Sequence, residues 1–272
     1  MTKFKAIPIS DPGDPRIAAY VSVRERDLTD RDGRFIVEGK VTLVVLIRCA
    51  RFEIESLFLS ETRLEPLADL LSELLRNVPI YTAPQVLMDE LAGFPIHRGV
   101  LACGLKGAMP DAGELLGSFS DKPQSTILVL CGPSNHDNVG AAFRNAAAFG
   151  ANAVLLDEMS CDPLYRKSIR VSAGTALWLP FAHGSSAEDL LSTLDAHGYE
   201  AWSLTPHEDA ASLNNLTRPA KLALLLGAEG PGLPEDILAR TTPVRVPMVP
   251  GFDSINIATA SAIALSAVFN LG

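Results

Sequence analysis

The run ILVLCGPSNHDNVGAAFRNAAAFG, residues 127–150, decides the fold. Its first five residues, 127–131, are apolar without interruption, as in a strand covered on both faces. A turn-rich loop follows at 132–137. Residues 138–149 then take on the alanine-rich composition of a helix. Asp137 or Asn138 offers its N-cap, and Gly150 its C′ position. The alternation continues downstream, with strands expected at 153–156, 201–204 and 222–226. Helices are expected at 190–197, ending at Gly198, and at 257–270. Apolar strands alternating with helices make a parallel sheet covered on both faces. The ligands of such a sheet sit at the carboxyl ends of its strands.

Upstream the pattern is also α/β but less regular. The apolar run 41–47 fits either a strand or a buried helix. Residues 54–59, 79–81 and 100–103 read as strands and 86–91 as a helix. Leu64, Leu67, Leu70, Leu71, Leu74 and Leu75 form a helical stripe. Residues 104–125 turn to Gly, Pro, Ser and Asp, with room for one helical turn at 114–116. The expected organisation is therefore a small α/β domain at 1–108, a linker at 109–124 and a parallel-sheet domain at 125–272.

Composition narrows the function. Of 272 residues, 47% are hydrophobic and 20% charged, which excludes wholesale disorder. The net charge of −9 excludes a uniformly basic nucleic-acid coat but not a local basic patch. Cys49, Cys103, Cys131 and Cys161 lie far apart, with no C-x-x-C pair and no zinc-finger spacing. Free thiols in a reducing cytoplasm, and no metal, are expected. The first 15 residues lack the apolar run of a signal peptide. The uncharged stretch 254–272 carries Asn256, Thr259, Ser261, Ser266 and Asn270, so it reads as a buried helix of small residues rather than a membrane span.

Three clusters at strand ends carry the chemistry. In the first, Asn138 and Arg144 flank a helix start, and Gly140 permits close approach to the first turn. Arg144 lies one turn beyond Gly140 in an otherwise Ala- and Phe-rich helix. It is either paired in a site or solvated on the helix's polar stripe. The second cluster, GAEGPG at 227–232, has the glycine order G-x-x-G-x-G. That is neither the dinucleotide fingerprint nor a P-loop. It fits a Gly/Pro turn with a solvated Glu229, or a carboxylate held at a strand's end. The third runs VRVPM at 244–248 and PGFDSINIA at 250–258. Ser254 is a good N-cap, whereas Asn256 inside a first helical turn is out of place.

In this order, N-x-G-x-x-x-R, G-x-E-G-x-G, V-P-M and S-I-N-I-A resemble the SpoU family of RNA 2′-O-ribose methyltransferases over roughly 125–271. KSIRVSAG at 167–174 is similar to another segment of that family. The first half, with RDGRFIVEG at 31–39, resembles the α/β substrate-binding domain that precedes many rRNA-directed members.

The resemblance implies an α/β, trefoil-knotted domain whose C-terminal segment threads a loop, although knots are rare among folds. It implies S-adenosylmethionine as cofactor, held by Leu204, Gly227, Val246 and Ile255. It implies Arg144 as the catalytic residue, supported by Asn138, Glu229, Ser254 and Asn256. It implies a cytoplasmic homodimer acting on RNA, with 23S rRNA favoured over tRNA. The cations expected to meet RNA are Arg24, Arg26, Arg31 and Arg34, interleaved by Asp27, Asp30 and Asp32, together with Arg166, Lys167 and Arg170. The competing readings are a tRNA methyltransferase, a catalytically silent RNA-binding protein of the same fold, and a nucleotide-dependent oxidoreductase using the glycine loop.

Overall fold

A computed structural model describes residues 5–21, 33–74, 77–93, 96, 99–249 and 251–271. The chain forms two units. The first comprises Met1–Ala108 with Leu164–Trp178, the second Met109–Pro163 with Leu179–Gly272.

In the first unit the described elements run β1 (Ala6–Pro8), β2 (Arg34–Glu38), α1 (Lys40–Cys49), β3 (Glu53–Ser60), α2 (Ala68–Leu71), β4 (Ile80–Ala83), α3 (Gln85–Ala92) and β5 (Val100–Leu105). The sheet order is β1-β4-β3-β5-β2. β4 runs parallel to β1 and β3, and β5 antiparallel to β3 and β2. The ambiguous run 41–47 is helical. Gly39, at φ +95°, precedes the helix and left-handed Ala50 ends it, while Thr42, Leu43 and Leu46 face inward. Leu75 of the expected leucine stripe lies outside the described residues, and over 64–74 the stripe is not one helix. Two 3-10 turns, Glu61–Arg63 and Glu65–Leu67, precede the short α2. Pro66 explains the break, because its ring and missing N–H do not fit a helix interior. The core gathers Ile17, Tyr20, Ile36, Phe58, Met88 and Leu101, and the Tyr20 hydroxyl meets Ser56 Oγ at 2.8 Å.

A helix from far along the chain, α6 (Arg166–Val171), belongs to this first unit and not to the domain expected at 125–272. Arg166 and Arg170 both reach the buried carboxylate of Glu38 at the end of β2. Gly174 sits at φ +85°, where a Cβ would meet Val45 Cβ at 3.0 Å. The motif at 167–174 thus has a packing role against β2 and α1.

The second unit adds α4 (Ala112–Gly117), β6 (Ser125–Leu130), α5 (His136–Ala148), β7 (Ala153–Asp157), β8 (Phe181–Ser185), α7 (Ala187–Ala196), β9 (Glu200–Leu204), β10 (Ala211–Ser212), β11 (Lys221–Leu226), α8 (Glu235–Ala239), β12 (Thr242–Arg245) and α9 (Ile257–Asn270). The described strands form one all-parallel sheet, ordered β10-β12-β9-β11-β6-β7-β8. Successive residues of β6 point to opposite faces, and all are buried, so both faces are covered. Ile127 and Val129 face a layer containing Leu115, Leu116, Leu190, Leu194 and Ile237.

The segment 109–124, expected as a linker, is instead a layer of this unit. Asp111 accepts from Glu114 N at 2.8 Å, and Glu114 reaches back to Asp111 N, forming a capping box. Leu115, Leu116 and Phe119 are buried in the core. Helix α5 starts two residues earlier than expected because Asn135, not Asp137 or Asn138, is its N-cap. No helix among the described residues is long and apolar enough to cross a membrane.

Candidate functional site

Strands β12, β9 and β11 are neighbours, and their carboxyl ends open into one cavity of about 320 Å³. Leu204 ends β9, with Thr205 and Pro206 after it, while Leu226 ends β11, with Gly227 to Gly230 and Gly232 after it. Val246 and Met248 follow β12, and Asp253 to Ile257 with Ala260 lead into α9. All four positions expected to hold a cofactor (Leu204, Gly227, Val246 and Ile255) line it, as do Glu229, Ser254 and Asn256. Thr205, Pro206, Met248, Asp253 and Ala260 line it too. Met248 and Asp253 fall in the third sequence cluster, Thr205 and Pro206 follow a strand end, and Ala260 had no sign beyond its place in a helix of small residues.

The loop after β11 folds back sharply. Gly232 N donates to Ala228 O at 3.0 Å, and the two residues form a β-bridge. A Cβ on Gly227 would lie 2.1 Å from the carbonyl carbon of Gly232 and 2.3 Å from Leu233 N. Gly230 and Gly232 stand at φ +95° and +72°, where side-chain-bearing residues are strained. The odd glycine order is therefore that of a hairpin-like loop presenting Glu229.

Glu229 accepts from Asn138 Nδ2, and Asn138 Oδ1 accepts from Asn256 Nδ2 at 2.9 Å. An ionised carboxylate only accepts, so it orients the Asn138 amide, and Asn138 in turn orients Asn256. Asn256 Oδ1 is left facing α9, where it accepts from Ala258 N at 2.8 Å and Thr259 N at 3.4 Å. Asn256, out of place as a helix-interior residue, is the N-cap of α9. Ser254, read as that cap, lies ahead of the helix on the cavity wall. Asn138 is buried in the first turn of α5, where an unpaired amide would be costly. The relay satisfies both ends of it.

Two strands along the sheet from β11, Asp157 at the end of β7 accepts from Gly132 N (2.9 Å), Ser160 N (2.9 Å) and Ser160 Oγ (2.6 Å). These bonds hold the loop that leads into α5. Burial pushes the Cys131 and Cys161 thiols up to about 12, with Asp157 adding to the first and Glu229 and Asp162 to the second. Both stay protonated near neutrality, which excludes them as thiolate nucleophiles.

Arg144 is exposed on α5, lies outside the cavity wall, and has no hydrogen bond or ion pair among the described residues. Of the cations expected to meet RNA, Arg166 is largely buried against Glu38. Arg170 is half-exposed, 3.4 Å from the same carboxylate, and Lys167 is partly buried. Arg34 forms a forked pair with Glu55. Arg24, Arg26 and Arg31 lie outside the described residues. Among the described residues, no group of three or more His, Cys, Asp or Glu is placed to hold a metal.

A covered parallel sheet with its cavity at three strand ends defines an α/β protein that binds a small ligand. Residues 125–266 match the SpoU rRNA methylase family, and the chain belongs to it. An uncharacterized tRNA/rRNA methyltransferase of Mycobacterium tuberculosis is 36% identical over 264 residues, 94% of this chain and 89% of that protein. Among solved structures, an AdoMet-bound rRNA methyltransferase from Sinorhizobium meliloti has a TM-score of 0.82 at 18% identity, covering 97% of this chain and 98% of that one. An RNA 2′-O ribose methyltransferase has a TM-score of 0.77 at 23% identity, covering 97% and 99%.

Proposed function

We propose that the protein transfers a methyl group from S-adenosylmethionine to a ribose 2′-hydroxyl of structured RNA, with 23S rRNA the favoured substrate. The observation that carries the reading is the cavity at the ends of β12, β9 and β11, joined to α5 by the Glu229–Asn138–Asn256 relay. The cavity suits the cofactor. Its volume lies at the lower end of the usual range for ligand pockets, about 300–1,000 Å³. Leu204, Val246 and Ile255 offer apolar flanks for an adenine ring, and the main-chain groups beside Gly227 offer partners for its polar edge. When bound, S-adenosylmethionine supplies an already activated methyl group.

The protein's own task is to hold the ribose in line and to favour its alkoxide character. Arg144 is suited to that task. Its guanidinium is a planar fork of donors suited to an oxyanion or a phosphate, and it is not occupied by a partner among the described residues. It would neutralise the developing oxyanion or grip the adjoining phosphate. Asn138 and Glu229 would set the ribose and the arginine, and Ser254 and Asn256 would complete the polar wall.

The same reading takes the C-terminal segment as the threaded part of a trefoil knot. It places the protein in the cytoplasm as a homodimer whose sites are completed by the partner. Exposed apolar groups support the dimer: Ile263, Leu271 and Phe269, whose ring lies 6.4 Å from that of Phe149. The small first unit would recognise RNA structure, and Arg170 and Lys167 would contribute charge.

The test uses purified protein, methyl-labelled S-adenosylmethionine and size-fractionated total RNA from cells lacking the gene. Label in large-subunit rRNA, alkali-resistant at one dinucleotide, is the expected result. Label in tRNA would keep the chemistry and overturn the substrate. Cofactor binding without transfer to any RNA or ribosomal particle would favour the catalytically silent reading.

A further inference from the structure

Helix α9 carries small residues on several sides of its first two turns, and a helix of that kind packs closely without fixing its own register. Polar bonds fix it instead, and the relay at Asn256 is one anchor. A second lies two turns further along α5 from Asn138, on the same face. Asn145 Nδ2 donates to Ala258 O at 2.8 Å and to Ser261 Oγ at 2.9 Å. Ser261 is fully buried, and its hydroxyl donates to Ala258 O at 2.7 Å, which leaves its oxygen to receive Asn145. Ala258 and Ser261 stand one turn apart on α9. Ile257 and Ala260, the neighbouring pair about 100° round the helix, line the cavity. The face that Asn145 grips is therefore adjacent to the face that forms the cavity wall.

We infer that Asn145 is a positioning residue for the cofactor cavity, acting as a second clamp that sets the register of α9 and, through it, the wall at 253–257. The inference rests on the functional reading above, because it names S-adenosylmethionine as the ligand whose binding the clamp governs. Asn145 touches neither the cavity nor Arg144's role in transfer, so its effect is separable. An asparagine in mid-helix, among alanines, has no helix-propensity reason to be there. The pair of bonds to α9 supplies one.

The experiment compares wild type with Asn145→Asp, which keeps the shape and removes both donors, and with Ser261→Ala, which removes one acceptor. The expected result for Asn145→Asp is a KM for S-adenosylmethionine raised at least about tenfold, as for a misplaced binding wall. The kcat at saturating cofactor should stay within about threefold, and RNA affinity should be unchanged. Ser261→Ala should show the same split, smaller. A purely structural role would lower the active fraction, reducing kcat and leaving KM alone, and that pattern overturns the proposal. Should Asn145→Asp fail to fold, Ser261→Ala carries the prediction. An unchanged KM in both variants, with the cofactor bound normally by wild type, overturns the clamp and leaves the functional reading standing. Wild-type protein that binds no S-adenosylmethionine overturns both.

Discussion

Arg144 is exposed on the alanine-rich helix α5, and it stands off the cavity wall. That separation makes its contribution measurable by itself. On the proposed reading, replacing it with alanine removes the charge that would stabilise a negative ribose oxygen, but no group that touches the cavity. Arg144→Ala is expected to slow transfer by about 10²–10³-fold, the loss typical of one oxyanion-stabilising donor. Cofactor affinity by calorimetry should stay within a few-fold. Turnover at the wild-type rate would remove Arg144 from the mechanism. Gly227 offers the opposite experiment. A methyl group there would sit against the backbone of Gly232 and Leu233, neither of which can swing aside like a side chain. Gly227→Ala should therefore open the loop that presents Glu229. Overpacking of this kind costs about 1–3 kcal/mol, and the cavity loses a wall as well. A lowered melting temperature together with weakened cofactor binding is expected. Normal binding by the variant would show that the loop is free to relax.

Among the elements of the first sheet, β3 shows how a local irregularity aims a side chain. Its pairing with β5 slips between Ile54 and Ser56, and Glu55 at the slip reaches Arg34 on β2, across the intervening strand. The Arg34 guanidinium holds the Glu55 carboxyl below its usual range, and the Cys103 thiol donates to it as well. A depressed carboxyl stabilises the fold above its unfolded value of about 4.3, and that contribution fades as pH falls through the lower folded value. Both groups are about one-third exposed, so the pair is worth less than about 1 kcal/mol. Urea titrations should find Glu55→Gln less stable than wild type at neutral pH, the two converging as the pH falls through the lowered folded value of Glu55. A difference that stays constant with pH would show that packing, not charge, is lost.

The elements also mark what was legible in the sequence. Strand ends and the last helix could be read because unbroken apolar runs and a string of small residues mean the same thing locally and globally. The helix at 41–47 could not be settled, since a buried helix and a buried strand are both apolar all round. The stripe at 64–75 misled because leucine spacing outweighed Pro66. The linker misled because its glycines and prolines outweighed the Asp111–Glu114 signal. At the site, the cavity positions followed from strand ends and family motifs. The bonds of Asn138, Asn145 and Asn256 run to partners 91 to 118 residues away, and the only local hint of them was that Asn256 looked out of place in a first helical turn.

On the scale of the whole molecule, the division of the chain is not a single cut. Residues Leu164–Trp178 leave the second unit between β7 and β8 and complete the first, against β2 and α1. Ile169, Ala176 and Leu177 are buried there, and Cys49 at the end of α1 donates its thiol to Leu177 O at 3.5 Å. Arg166 compensates the buried charge of Glu38, so this segment satisfies the first unit electrostatically as well as by packing. A fragment starting at 109 therefore keeps the whole parallel sheet yet strands one inserted segment without its partners. The expected behaviour of 109–272 alone is increased binding of a dye that reports exposed apolar surface, and a melting temperature several degrees below that of the full chain. Supplying 1–108 in trans should reverse both, because it returns Glu38 and the α1 surface to that segment. Glu38→Ala in the supplied piece should weaken the rescue, since it leaves Arg166 without its compensating carboxylate. A fragment as stable as the full chain, with no added dye binding, would mean that 164–178 refolds onto its own unit and that the first unit is not obliged to borrow it.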